Sequence, residues 1–114
     1  MNKTFTNIEA YNAFQVLRDC RETGKLGYAI AKNMRKLQEE LKEYSVTIEE
    51  LTKRYGKDIG NGQYSISDMG AYMAERAQYD SIDCDVDIMQ VDEDTFCSGT
   101  LTNDQMYMLD WMVT

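Results

Sequence analysis

"SIDCDVDIMQVDED", residues 81–94, is the most acidic stretch of the chain, and its structure decides how that charge is presented. It carries acids at Asp83, Asp85, Asp87, Asp92, Glu93 and Asp94 and no base. Three structures compete for it. Asp83, Asp85, Asp87 and Asp94 occupy positions 1, 3, 5 and 12 of an EF-hand loop. That loop requires glycine at position 6, where Ile88 stands, and glutamate at position 12. A two-metal site needs carboxylates converging from separate elements, and no supporting motif accompanies them. The third reading is a strand, and alternation favours it. Ile82, Cys84, Val86 and Ile88 fall on one face, and Asp83, Asp85 and Asp87 on the other. Carboxylates on that face would stand roughly 7 Å apart, twice the strand rise. Such a row either keeps a sheet edge solvated and unaggregated or presents itself to a basic surface as a nucleic-acid backbone does.

Upstream of this strand the periodicity is helical. "TNIE" at 6–9 forms a capping box, and Ile8, Tyr11, Phe14, Leu17 and Cys20 make one stripe, which predicts a helix from about 7 to about 22. Leu26, Ile30, Met34, Leu37, Leu41, Tyr44, Ile48, Leu51 and Tyr55 then recur at alternating spacings of four and three, the period of a coiled-coil seam. They predict one rod of roughly 40 Å ending at Gly56. The first helix can cover only part of it, so the C-terminal half of the chain or a second copy must cover the rest. The glycine-rich "GKDIGNGQYSIS" at 56–67 predicts a turn and a short strand around 63–66. Ser67 or Asp68 caps a third helix, and Thr102 with Gln105 boxes a terminal helix over 101–113, with Met106, Leu109, Met112 and Val113 inward.

Charge is divided unevenly along the chain. The net charge is −8, yet residues 1–57 carry +3 and residues 58–114 carry −11, with Arg76 the one base of that half. The polarity speaks to partners more than to fold. There is no histidine among the 114 residues, which removes Ser-His and Cys-His pairs, imidazole ligands and the commonest general base. The three cysteines, Cys20, Cys84 and Cys97, are an odd set without C-x-x-C spacing, and buried free thiols are expected. No apolar run spans a membrane and no signal-like segment opens the chain, so the cytoplasm is the expected compartment. Eight methionines and eight tyrosines suit adaptable contact surfaces. Tyr107, Met108 and Trp111 cannot all face inward together with Met106, Leu109 and Met112.

"LGYAIAKNMRKLQEELKEYSVTIEELTKRYG", "DCDVDI" and the closing "LTNDQMYMLDWMV" together resemble a family of short, uncharacterised proteins encoded by phages and prophages of Gram-positive bacteria. The likeness runs from about Leu26 to the end. It departs at Asn103, where the family has proline, and over the loop at 92–100. It implies a phage accessory or late gene expressed in the host bacterial cytoplasm, and it transfers no catalytic residue.

The expectation from the sequence is a single α+β domain over 1–114: a long helical hairpin, a sheet of two or three strands and two shorter helices. A non-enzymatic binding protein without cofactor fits best. Its partner surface would comprise Asp80, Asp83, Asp85, Asp87, Asp92, Glu93, Asp94, Asp104, Tyr107 and Trp111, facing a basic protein such as a host nucleic-acid-binding enzyme. The alternative is a phage structural protein that self-assembles, as a homodimer or higher, through the 26–55 helix.

Overall fold

A computed structural model describes residues 1–114. The chain runs β1 (Asn2–Thr6), α1 (Asn7–Asp19), α2 (Gly24–Glu40), α3 (Lys42–Tyr55), β2 (Gly56–Gly60), β3 (Gln63–Ile66), α4 (Met69–Asp80), β4 (Asp83–Asp87), α5 (Glu93–Cys97) and α6 (Asn103–Met108), and ends in a 3₁₀ turn at Asp110–Met112. Helices and small antiparallel sheets make this an α+β fold. The strands form two separate two-stranded sheets, β1–β4 and β2–β3, where one small sheet was expected.

The capping box opens α1 as the sequence requires. Thr6 Oγ1 accepts the Glu9 amide at 3.3 Å, and the Glu9 carboxylate accepts the Thr6 amide at 2.8 Å. Helix α1 stops at Asp19, and Cys20 is already extended. The short link to Gly24 folds α2 back against α1, as short helix–helix connections do.

The expected rod is interrupted once. Leu41 leaves helical geometry at φ −86°, ψ 0°, while its amide still bonds Leu37 at 2.9 Å and its carbonyl still accepts from Ser45 at 2.8 Å. The chain does not fold back there. Residues 24–55 at the helical rise span about 48 Å, and the longest dimension of the molecule is 48 Å. Its radius of gyration is 16.4 Å, against about 13 Å for a compact chain of this length.

Different elements cover the two halves of the rod. Helix α2 lies against α1, β4 and α5, and α3 lies against α4 and the β2–β3 hairpin. Of the seam residues, Leu26, Ile30, Leu37, Leu41, Tyr44 and Leu51 are buried, with Met34, Ile48 and Tyr55 half-buried. The C-terminal half of this same chain therefore takes up the stripe. Around α3 the packing is aromatic and polar: the Tyr55 and Tyr72 rings meet edge-on at 6.0 Å, and Thr52 Oγ1 lies 2.9 Å from the Tyr72 hydroxyl.

Strand β2 was not expected; its residues read as a turn. Asn61 at φ 55° and Gly62 at φ 73° make the tight connection that the Asn-Gly pair favours in a two-residue hairpin. At the other end, the expected helix over 101–113 is cut short. Helix α6 ends at Met108, with Leu109 its C-cap, and the 3₁₀ turn that follows brings Leu109 and Met112 onto one side, both with no exposed surface. The turn also returns the chain to Val91, whose amide donates to the Met112 carbonyl at 2.8 Å and whose carbonyl accepts from Thr114 at 3.0 Å.

One buried polar side chain ties these parts together. Asn33 on α2 is fully buried; its amide nitrogen donates to the Met89 carbonyl at 2.9 Å and its oxygen accepts the Met89 amide at 2.7 Å. The pair fixes the chain as it leaves β4 and satisfies backbone groups that no strand partner reaches.

Candidate functional site

Strand β4 forms where alternation places it. Cys84 and Val86 are buried, and Asp83, Asp85 and Asp87 are exposed on the opposite face. Its partner is β1, antiparallel, with Thr6 opposite Asp83, Thr4 opposite Asp85 and Asn2 opposite Asp87. The outer face is thus a carboxylate row beside a row of small polar side chains. Thr4 Oγ1 donates to Asp85 at 2.6 Å. The Met1 ammonium donates to Asp87 at 3.1 Å and holds that carboxyl below the usual range, with smaller contributions from Lys36 and Lys32. These contacts offset part of the repulsion among three aligned like charges. Ile82, expected inward, is half exposed; it precedes the strand, and its carbonyl accepts the Asn7 amide at 2.9 Å.

The remaining site residues separate into groups. Asp80 is turned inward at the end of α4, its side chain 19% exposed. It accepts a hydrogen bond from the Tyr44 hydroxyl at 2.5 Å and lies 3.5 Å from Arg76 Nε. Burial, and then the bond to Asp80, push the Tyr44 hydroxyl above its ordinary pKa. Asp80 therefore ties α4 to α3 and does not extend the outer row. Asp92, Glu93 and Asp94 open α5. Asp92 is its N-cap, accepting the Thr95 amide at 2.7 Å, and that backbone bond lowers its pKa. Glu93 and Asp94 follow in the first turn, exposed, where the helix dipole favours them. Asp104 occupies the same position in α6.

Tyr107, 81% exposed, and Met108, half exposed, stand out from α6, whereas Trp111 turns in and meets Phe5 edge-on at 5.5 Å. With Lys3, Thr4, Phe5, Glu9, Asn12, Ala13 and Asp110, these three line an open cleft of about 420 Å³ along β1. The structure thus brings Tyr107 and Trp111 together beside the acidic sheet, through β1, a strand that the residue pattern does not predict. The signal for β1 was slight: Asn2, Thr4 and Thr6 alternate with Lys3 and Phe5, and Phe5 alone is a large apolar residue.

Cys20 and Cys84 are buried free thiols, and burial pushes both upward in pKa. Cys97 is exposed, contrary to expectation, because it ends the single-turn-and-a-half α5 on its outer side while Phe96 takes the core position. No helix is long and apolar enough to cross a membrane.

Comparison of the chain with protein-family models, with curated proteins and with solved structures finds no match.

Proposed function

We propose that this is a non-enzymatic, phage-encoded binding protein whose acidic half covers a basic nucleic-acid-binding surface of a bacterial defence protein, as an anti-CRISPR-type inhibitor does. The observation that carries this reading is the exposed row Asp83, Asp85 and Asp87 on a sheet face whose opposite side is core. Aspartate is a poor strand former and aligned carboxylates repel, so local stability does not account for the pattern. A row of fixed negative charge on a rigid element would compete for a Lys/Arg-lined groove, and the −11 of residues 58–114 would steer encounter at a fast, salt-sensitive rate. The family likeness supports a phage origin and action in the host cytoplasm. Self-assembly through the 26–55 helix has less support, since the seam residues are spent inside the chain.

The test is capture of partners from the host bacterium with tagged protein at low and at high salt. A nucleic-acid enzyme retained at low salt and released at high salt fits the proposal. Capture of phage structural proteins instead would replace it with the assembly reading.

A further inference from the structure

Strand β1 has one partner and therefore one open edge. The register fixes which of its backbone groups lie there. The Ile88 amide bonds the Met1 carbonyl at 2.9 Å, and the Asn7 amide bonds the Ile82 carbonyl at 2.9 Å. In an antiparallel pair the bonded positions alternate, so Lys3 opposite Val86 and Phe5 opposite Cys84 turn their amides and carbonyls toward β4. Asn2 and Thr4 turn theirs away. Thr6 would do the same, but its amide is taken by the Glu9 carboxylate. No other strand lies against β1. The amides and carbonyls of Asn2 and Thr4 are left without a backbone partner, and Thr4 is exposed.

This open edge borders the cleft of about 420 Å³, a volume within the range of roughly 300–1,000 Å³ typical of ligand sites. Its walls are of two kinds. Phe5, Ala13, Met108 and Trp111 are apolar, while Glu9 and Asp110 are acidic. Lys3 is the one base there, and its ammonium sits over the Phe5 ring at 5.0 Å. An added strand would set alternate side chains against the apolar wall. The others would fall on the outer face, beyond Thr4 and Asp85, within reach of the carboxylate row.

We propose that the β1 edge binds an extended basic segment of a partner protein by strand addition, with apolar side chains inward and lysine or arginine outward. The proposal rests on the acidic face being a docking surface for a basic protein, and names how a segment of that protein is held. Main-chain bonds to Asn2 and Thr4 supply the register, and the flanking pockets and carboxylates supply the choice of sequence. Charge selects this occupant over a second copy of the chain. Pairing two β1 edges would join two Asp83–Asp87 rows in one sheet face, on protomers that each carry −8.

The test uses the full chain and the synthetic peptide Lys-Val-Lys-Val-Lys-Val-Lys, in three forms: unmodified, N-methylated at the lysine amides, and N-methylated at the valine amides. Binding is read by anisotropy, and amide exchange at Thr4 by NMR. In antiparallel addition the lysines lie opposite Thr4 and carry the pairing amides. The expected result is binding of the unmodified peptide, at least tenfold weakening by methylation of one alternating set only, and slowed exchange at Thr4. The Thr4→Pro variant removes the edge amide without removing a ladder bond and should lose the peptide to the same degree. Should that variant fail to fold, the methylated peptides carry the test on the unaltered protein. Equal, salt-sensitive binding of all three peptides would overturn strand addition while leaving the acidic docking surface standing. Absence of peptide binding to a protein that still captures a basic partner would also overturn it. Protection of Thr4 that grows with protein concentration alone would assign the edge to a second copy, against the proposal.

Discussion

Replacing Asn33 with alanine removes both bonds that hold the chain after β4. The Met89 amide and carbonyl, bonded at 2.7 and 2.9 Å to a fully buried side chain, would lose their partners. Each unsatisfied buried group costs about 1–3 kcal/mol. Met89 is itself half-buried, and water will reach part of the exposed pair, so the lower end of that range applies to each. The total expected is about 2–4 kcal/mol. For a chain of this size a kcal/mol moves the midpoint by roughly 4 °C, so melting should fall by roughly 8–16 °C. Urea unfolding followed by circular dichroism measures the same quantity, with the denaturant slope unchanged. Exchange of the Met89 amide should accelerate more than that of α1 amides, because the latch opens before the core does. An Asn33→Ala protein within about 0.5 kcal/mol of the parent, with the same slope, would mean that the Asn33–Met89 pair does not hold this segment.

Three further outcomes follow from the packing and charge. Tyr44→Phe leaves Asp80 beside Arg76 without its hydroxyl donor and should cost about 1.5–3 kcal/mol in urea unfolding, the range for a bond to a charged group. Gly27→Ala should destabilise by about 1–3 kcal/mol in the same assay, since a Cβ there would stand 2.5 Å from the Glu22 carbonyl oxygen. Stability should decline in acid. Glu9, Asp87 and Asp92 titrate below their ordinary values because Thr6, the Met1 ammonium and the Thr95 amide bind their charged forms. A depressed carboxyl contributes fully above its unfolded pKa of about 4, and that contribution is lost as pH falls through the lower folded value. Asp92→Asn keeps a capping side chain that does not titrate, so its pH–stability profile between about pH 5 and pH 2 should be flatter than the parent's.

Patterns of regular period were readable from residues alone. The alternation over 82–88 predicts β4 and both of its faces, and the four–three spacing over 26–55 predicts a helical stripe whose residues are largely buried. What escaped depended on contacts between distant segments. Strand β1 has a single apolar anchor, and its partner lies about eighty positions away, so it carries little local signal of its own. Leu41 interrupts the rod at a residue that fits the seam, with no glycine or proline to mark the place. Asn33 has the look of an ordinary polar residue on a helix until Met89 is placed opposite it. Asp80 belongs to the acidic half by sequence, but Tyr44 and Arg76 draw it inward. The cleft beside the sheet follows from the same blind spot, since β1 forms one of its walls.

In the proposed mode of binding, the carboxylate row on β4 makes the contact. Asp83, Asp85 and Asp87 are exposed and turn away from the core, so changing all three to asparagine should leave the fold intact, with a melting point near the parent's. The decisive measurement is partner capture from the host bacterium by the parent and by this triple variant, side by side at low salt. The expected result is a basic nucleic-acid enzyme on the parent and its loss from the variant. Equal capture by both would contradict the assignment of the contact to this face.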